Sequence, residues 1–273
     1  MGEASRKKTA TQKLIQAFPH CYFCGGQTPS EQREHFPPTA LFDDLHRPDD
    51  IVVPACKACN GGTSTADLTA SIVSRWSYPA GTRELADLVK LNARARKQAP
   101  DLVNEWIGIE PGGWENARRH LRAHGVPVPT EAAIASIGPL TVRQLNLFAH
   151  KATLALHFHV FQTAIPAGGG IYSSWRSKED LAVNGIPQAL IEMMPEYTTL
   201  IQGKWNLRQT FECRFAKSAD DGLFGTTARF RHGFFTVGFT VADRHVLPPH
   251  DADWVEPAAP TALLDVPAFA IRR

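Results

Sequence analysis

Residues 21–60 read CYFCGGQTPSEQREHFPPTALFDDLHRPDDIVVPACKACN. One Cys-x-x-Cys pair, Cys21 and Cys24, opens the stretch, and a second, Cys56 and Cys59, closes it. This spacing lets a single turn present two thiolates to one ion, and two such turns complete a tetrahedral site. With all four positions taken by protein, the ion expected there, Zn2+, has no room for water and is structural. Gly25 and Gly26 follow the first pair, where a chain turning round a metal uses positive φ. Between the pairs, QREHF (32–36) reads as a strand stopped by Pro37 and Pro38, and DIVVPA (50–55) as a second strand. The expected unit is a hairpin with a long connection, a helix after Cys59 beside it, and zinc holding the three together.

Outward from this unit, STADLTASIVSRW carries Leu68, Ile72, Val73 and Trp76 at helical spacing, and Ser64 with Asp67 resembles a capping box. Residues 82–137 read as several helices. Leu85, Leu88, Val89 and Ala95 are the expected core stripe of one, and WENARRHLRAHG is another, stopped by Gly125. TEAAIASIG could form a further short helix. The longest helical segment begins at Thr141 and is apolar on nearly every side, which places it in a core. Its histidines, His150, His157 and His159, lack accompanying carboxylates and read as packed or partly exposed side chains rather than ligands. AGGG (167–170) reads as a joint, Ser177 as an N-cap for KEDLAVNG, and Pro187 as the start of PQALIEMM. Beyond Pro195, four strand-like runs separated by turn residues predict an antiparallel meander. Cys213, within QTFECRF, reads as a buried inert thiol. The proline-dense tail after Val246 reads as a loop or extended arm.

The chain of 273 residues is long enough for two domains, and its 43% hydrophobic and 21% charged residues are ordinary for a globular protein. No apolar run is long enough to span a bilayer, and no apolar leader precedes the first helix. A cytoplasmic protein without membrane contact is expected. The net charge of +2 selects no partner by itself. The clustering is more telling: Arg94, Arg96 and Lys97 form one basic group, and Arg118, Arg119, His120 and Arg122 another. Each is by default a solvated helix face, and gains meaning only beside a nucleic-acid site.

The zinc-framed stretch resembles the HNH endonuclease family, whose fold is a ββα-metal unit. The resemblance covers about residues 18–76. It is carried by the two cysteine pairs, by Glu34 and His35 on the first strand, by Asp50 at the start of the second, and by Asn60 directly after Cys59. It implies that His35 is the general base; an imidazole, titrating near 6.5, suits that role at neutral pH. Glu34 and Asn60 would hold a catalytic Mg2+ or Mn2+, and Asp50 would orient the base. Two departures stand out: Glu34 replaces the commoner Asp, and Asp50 the usual Asn. The implied activity is hydrolysis of DNA phosphodiester bonds, and by analogy the chain looks like a restriction or phage-defence effector. Consecutive strand residues point to opposite faces, so the family's pairing of Glu34 with His35 implies a local bend.

The expected architecture is α+β: an N-terminal zinc-stapled HNH module (1–80), a helical connector (81–138), and a C-terminal domain (139–273) of helices plus the meander. The module alone is expected to fold around zinc but to bind DNA weakly. Recognition would come from the basic helices and from Arg229 and Arg231 on the sheet, or the C-terminal domain would dock a protein partner. The alternative is a non-catalytic zinc module that binds nucleic acid or protein, for which neither Glu34 nor Asn60 is needed.

Overall fold

The computed structural model describes residues 9–43, 47, 51–76, 82–126, 128–129, 133–185, 192, 194, 196–199, 201–202, 205–206, 209–246 and 254–260. The unit expected between the two cysteine pairs is present as a hairpin and helices. β1 (Gln32–Phe36) pairs antiparallel with β2 (Ile51–Ala55), in continuous register from Gln32↔Ala55 to Phe36↔Ile51. α2 (Lys57–Gly62) starts at Cys56, and α3 (Ser64–Val73) follows almost at once. The residue at the N-cap of α3 is Thr63 rather than Ser64. Asp67 does not close a capping box, because its carboxylate is engaged elsewhere. A short α1 (Ala10–Ala17) precedes the unit and does carry a capping box, Thr9 with Gln12.

The helical middle comprises α4 (Thr82–Gln98), α5 (Pro100–Ile107) and α6 (Gly113–Ala123). α4 packs on α3 through Leu88, Leu91 and Ala95, against Leu68 and Ile72. Leu85 and Val89, expected in that stripe, are instead exposed, since they lie on the flank of the helix away from α3. Residues 133–138 are not helical. Their backbone is tied to α5 instead, with Ser136 N donating to Trp106 O at 2.9 Å.

α7 (Pro139–Phe161) is the central element, buried through most of its length as its all-round apolarity predicts. Its N-terminus leaves backbone N–H groups without helical partners. Glu105 on α5 accepts from two of them, Leu140 N and Thr141 N, each at 2.9 Å. Trp106 Nε1 donates to Thr141 Oγ1 beside them.

After α7 come β3 (Gly170–Ser177) and α8 (Lys178–Asn184), the latter capped by Ser177 as expected, with Asp180 N donating to its hydroxyl at 3.1 Å. The remaining strands are β4 (Glu196–Thr199), a two-residue hairpin β5–β6 (Ile201–Gln202, Trp205–Asn206), β7 (Phe211–Lys217), β8 (Leu223–Phe230) and β9 (Phe234–Val241). The main sheet has the order β3-β9-β8-β7-β4, all antiparallel. The meander of β7, β8 and β9 matches expectation, whereas β3, which begins at the end of the glycine run, was not foreseen. Of the expected helix PQALIEMM, Glu192 and Met194 are described and the remainder lies outside the described residues.

Side chains alternate along the three meander strands, and registered rows form beneath α7. Phe211, Phe230 and Phe234 form one row, and Cys213, Ala228 and Thr236 the next. The following row is Phe215, Thr226 and Gly238. A β-carbon at Gly238 would run into Thr153, so glycine is what lets the helix lie this close. Phe36 of β1 packs on Phe148, Phe211 and Phe230, so the zinc-framed unit, α7 and the sheet share one core. Val255 of the C-terminal segment bridges to Ile171, and Pro257 lies against Gly25 of the first knuckle. The fold is α+β with antiparallel sheets, and among the described residues no helix is long and apolar enough to cross a membrane.

Candidate functional site

The four thiols of Cys21, Cys24, Cys56 and Cys59 are buried and lie within 4.8 Å of one another. Tetrahedral zinc at about 2.3 Å from each sulfur would set them about 3.8 Å apart. A small contraction would therefore complete the site. The donor set is that of a structural metal such as zinc. Hydrogen bonding from Cys59 draws the Cys21 thiol down to about 5, while Cys59 is correspondingly raised. Both knuckles have the backbone that metal binding requires, since Gly25 and Gly26 adopt φ of 62° and 82° and Cys56 caps α2.

Two contacts hold the first knuckle, one to α7 and one to the hairpin. Tyr22, inside the first knuckle, hydrogen-bonds through its hydroxyl to His157 Nδ1 on α7. Burial raises the phenol and holds His157 down at about 4, so this hydrogen bond joins two neutral groups. In the second contact, Pro54 O of β2 accepts from Tyr22 N at 2.9 Å.

β1 carries the two residues expected to perform chemistry. Its register with β2 is unbroken, Glu34 opposite Val53 and His35 opposite Val52, so no bend brings their side chains to one side. Gln32, Glu34 and Phe36 share the face turned toward the helices. His35, half-buried, is on the other. Asn60 on α2 donates from Nδ2 to Gln32 Oε1 at 2.8 Å, which puts it on the Glu34 side. Asp50 lies outside the described residues.

Glu34 itself is buried and engaged. Lys151 Nζ, from the middle of α7, donates to Glu34 Oε1 at 2.8 Å, to Asp67 Oδ2 at 2.8 Å and Oδ1 at 3.0 Å, and to Thr63 Oγ1 at 3.0 Å. Burial by itself would lower Lys151, but the two carboxylates outweigh it and its pKa is raised. Burial also pushes the Glu34 carboxyl up, against the pull of Lys151. Both directions are coherent, because two carboxylates around one ammonium leave a net negative charge that favours holding protons. Among the described residues Glu34 Oε2 accepts no hydrogen bond, and about 10% of the side chain remains open.

Lys151, Asp67 and Thr63 were not foreseen as part of this arrangement. The available signal was Lys151 itself, a lone amine in FAHKATLALH, because a charge inside an apolar helix requires a buried counter-ion.

The arginines expected to read DNA from the sheet are otherwise employed. Arg231 is buried, pairs with Asp43 and with Glu84 at 3.2 Å, and donates to Leu41 O at 2.9 Å. Arg75, also buried, lies 3.6 Å from the same Asp43. Arg229 pairs with Glu212 at 3.0 Å. These contacts tie the β8–β9 turn to the end of α3, because buried guanidinium groups require anionic partners. Cys213 is buried, and burial raises its thiol to about 12, as an inert side chain requires.

No family model, curated protein or solved structure matches this chain.

Proposed function

We propose that the chain is a metal-dependent nuclease of the HNH type that hydrolyses DNA phosphodiester bonds. One observation carries this reading. His35 stands on a hairpin strand joined through a four-cysteine cluster to a helix whose Asn60 reaches back to that strand. A zinc staple needs neither His35 nor Asn60 for its own stability.

A divalent cation fits the donor chemistry on the Glu34 side. Glu34 Oε2 and the amide oxygen of Asn60 are oxygen donors of the kind Mg2+ and Mn2+ prefer. When bound, the ion would neutralise charge developing on the phosphate. His35 would take the proton of the attacking water, which requires β1 to bend locally so that its ring comes round to the Glu34 side, and Lys151 and Asp67 would hold Glu34 in place. DNA is the substrate class that the resemblance implies, and a role in restriction or phage defence is its proposed setting.

A second reading is favoured by the closure of Glu34 on Lys151. There the carboxylate is a core ion pair, and the zinc unit binds nucleic acid or a protein without cutting. Supercoiled plasmid separates the two. The nuclease should nick it only with Mg2+ or Mn2+ present, and His35→Ala should abolish nicking while keeping zinc and the thermal midpoint. Undiminished nicking by His35→Ala would end the HNH reading, and no nicking by the wild type with either ion would favour the second.

A further inference from the structure

α6 is unlike the other long helices. None of its residues is buried, whereas α3, α5 and α7 each bury an apolar face. An 11-residue helix is marginal in water without a packed face, so a partner would add what the body does not supply. Its composition states the chemistry of that partner. Arg118, Arg119 and Arg122 fall at helical spacing with Glu115, on one face, and line a shallow groove of about 440 Å³. Among the described residues no carboxylate pairs with Arg119 or Arg122, and both are exposed. Arg122 donates to a backbone oxygen, Val128 O, at 3.2 Å. Trp114 lies beneath the half-buried Arg118, with the guanidinium 5.8 Å from the ring centroid.

We infer that the Arg118–Arg119–Arg122 face of α6 is a docking surface for the phosphate backbone of DNA. Arg118 and Arg122 are about 6 Å apart along the axis. At a rise of about 3.4 Å per nucleotide, that span meets roughly two successive phosphates of one strand. Such contacts position a duplex without reading its sequence. An anionic lipid surface would need a free apolar face as well. Here Ala117 and Leu121 are half-covered, the partly exposed Trp114 lies against the Arg118 guanidinium, and Arg119 and Arg122 are the exposed arginines. The choice of DNA rests on the nuclease reading, for which α6 would be the substrate-holding surface.

The test measures binding, not cleavage. Full-length, zinc-loaded protein is titrated with a fluorescent DNA duplex, with no divalent ion added, over a series of salt concentrations. Removing one phosphate contact should reduce the slope of log K against log salt by about 0.9, so R118Q/R119Q/R122Q, whose face meets roughly two phosphates, should lower it by about 2. Glu115→Gln removes the one acid on this face and should tighten binding several-fold. An unchanged slope in the triple variant, with its thermal midpoint retained, would overturn the assignment. So would weaker binding by Glu115→Gln, or loss of binding to anionic vesicles with DNA affinity intact. Nicking by the wild type is read separately, so a failed α6 and a failed nuclease reading give different results.

Discussion

Glu34 of β1 and Lys151 of α7, 117 positions apart in the chain, meet at 2.8 Å within the protein. Asp67 and Thr63 of the zinc-framed unit bind the same ammonium, so one amine fastens that unit to the central helix. Removing it leaves two carboxylates facing each other without the ammonium between them. Lys151→Met should therefore cost about 3–5 kcal/mol, the usual range for breaking a buried pair. Adding Glu34→Gln and Asp67→Asn should recover part of that loss. Chemical denaturation of the single and triple variants checks both, and equal stabilities would show that the pair is not what joins them.

The metal frame makes a second prediction. Cys56→Ser leaves three thiolates and should lose zinc together with the order of the hairpin. Cys213→Ser, far from the cluster and buried under α7, should retain its full metal content. Elemental analysis of the purified variants decides it, and zinc missing from the Cys213 variant would contradict the assignment of ligands.

Acid should weaken the fold through α7. Burial holds His150 at about 4, below the 6.5 of an unperturbed imidazole. The unfolded chain then takes up the proton first, so this contribution is complete above about pH 6.5 and lost as the pH falls toward 4. His157 adds to the same trend, also through burial. His150→Leu should flatten the decline, by up to about 3 kcal/mol at 1.36 kcal/mol per pKa unit. Urea midpoints of wild type and variant across that window test the sign, and parallel curves would mean that His150 charges freely in the fold.

A fragment of residues 1–80, expected from its sequence to fold around zinc, should instead remain largely unfolded. Phe36 packs on Phe148, Phe211 and Phe230, and Glu34 and Asp67 need Lys151, all of which the fragment lacks. In the full chain, Phe148→Ala should cost about 3–5 kcal/mol and loosen the zinc unit as well as the sheet. Proton NMR of the zinc-loaded fragment reads the outcome; dispersed amide signals would show that the unit folds by itself.

What the sequence by itself determined is what short spacing can specify. The two Cys-x-x-Cys pairs, the strands around EHF and IVVPA, the Ser177 cap and the alternation of β7 to β9 depend on neighbours a few residues away. The burial of α7 was legible too, because a helix apolar on all sides has no solvent-facing alternative. Tertiary structure alone decided the rest. It placed β3 beside β9, turned Leu85 and Val89 outward, enlisted Arg231 for Asp43 and Glu84, and closed Glu34 on Lys151. Each of these depends on residues distant in sequence, through burial and charge balance that no local pattern encodes. Lys151 could be recognised in the sequence as a charge in need of a partner, but only the packing of α7 against β1 and α3 determines which carboxylates answer it.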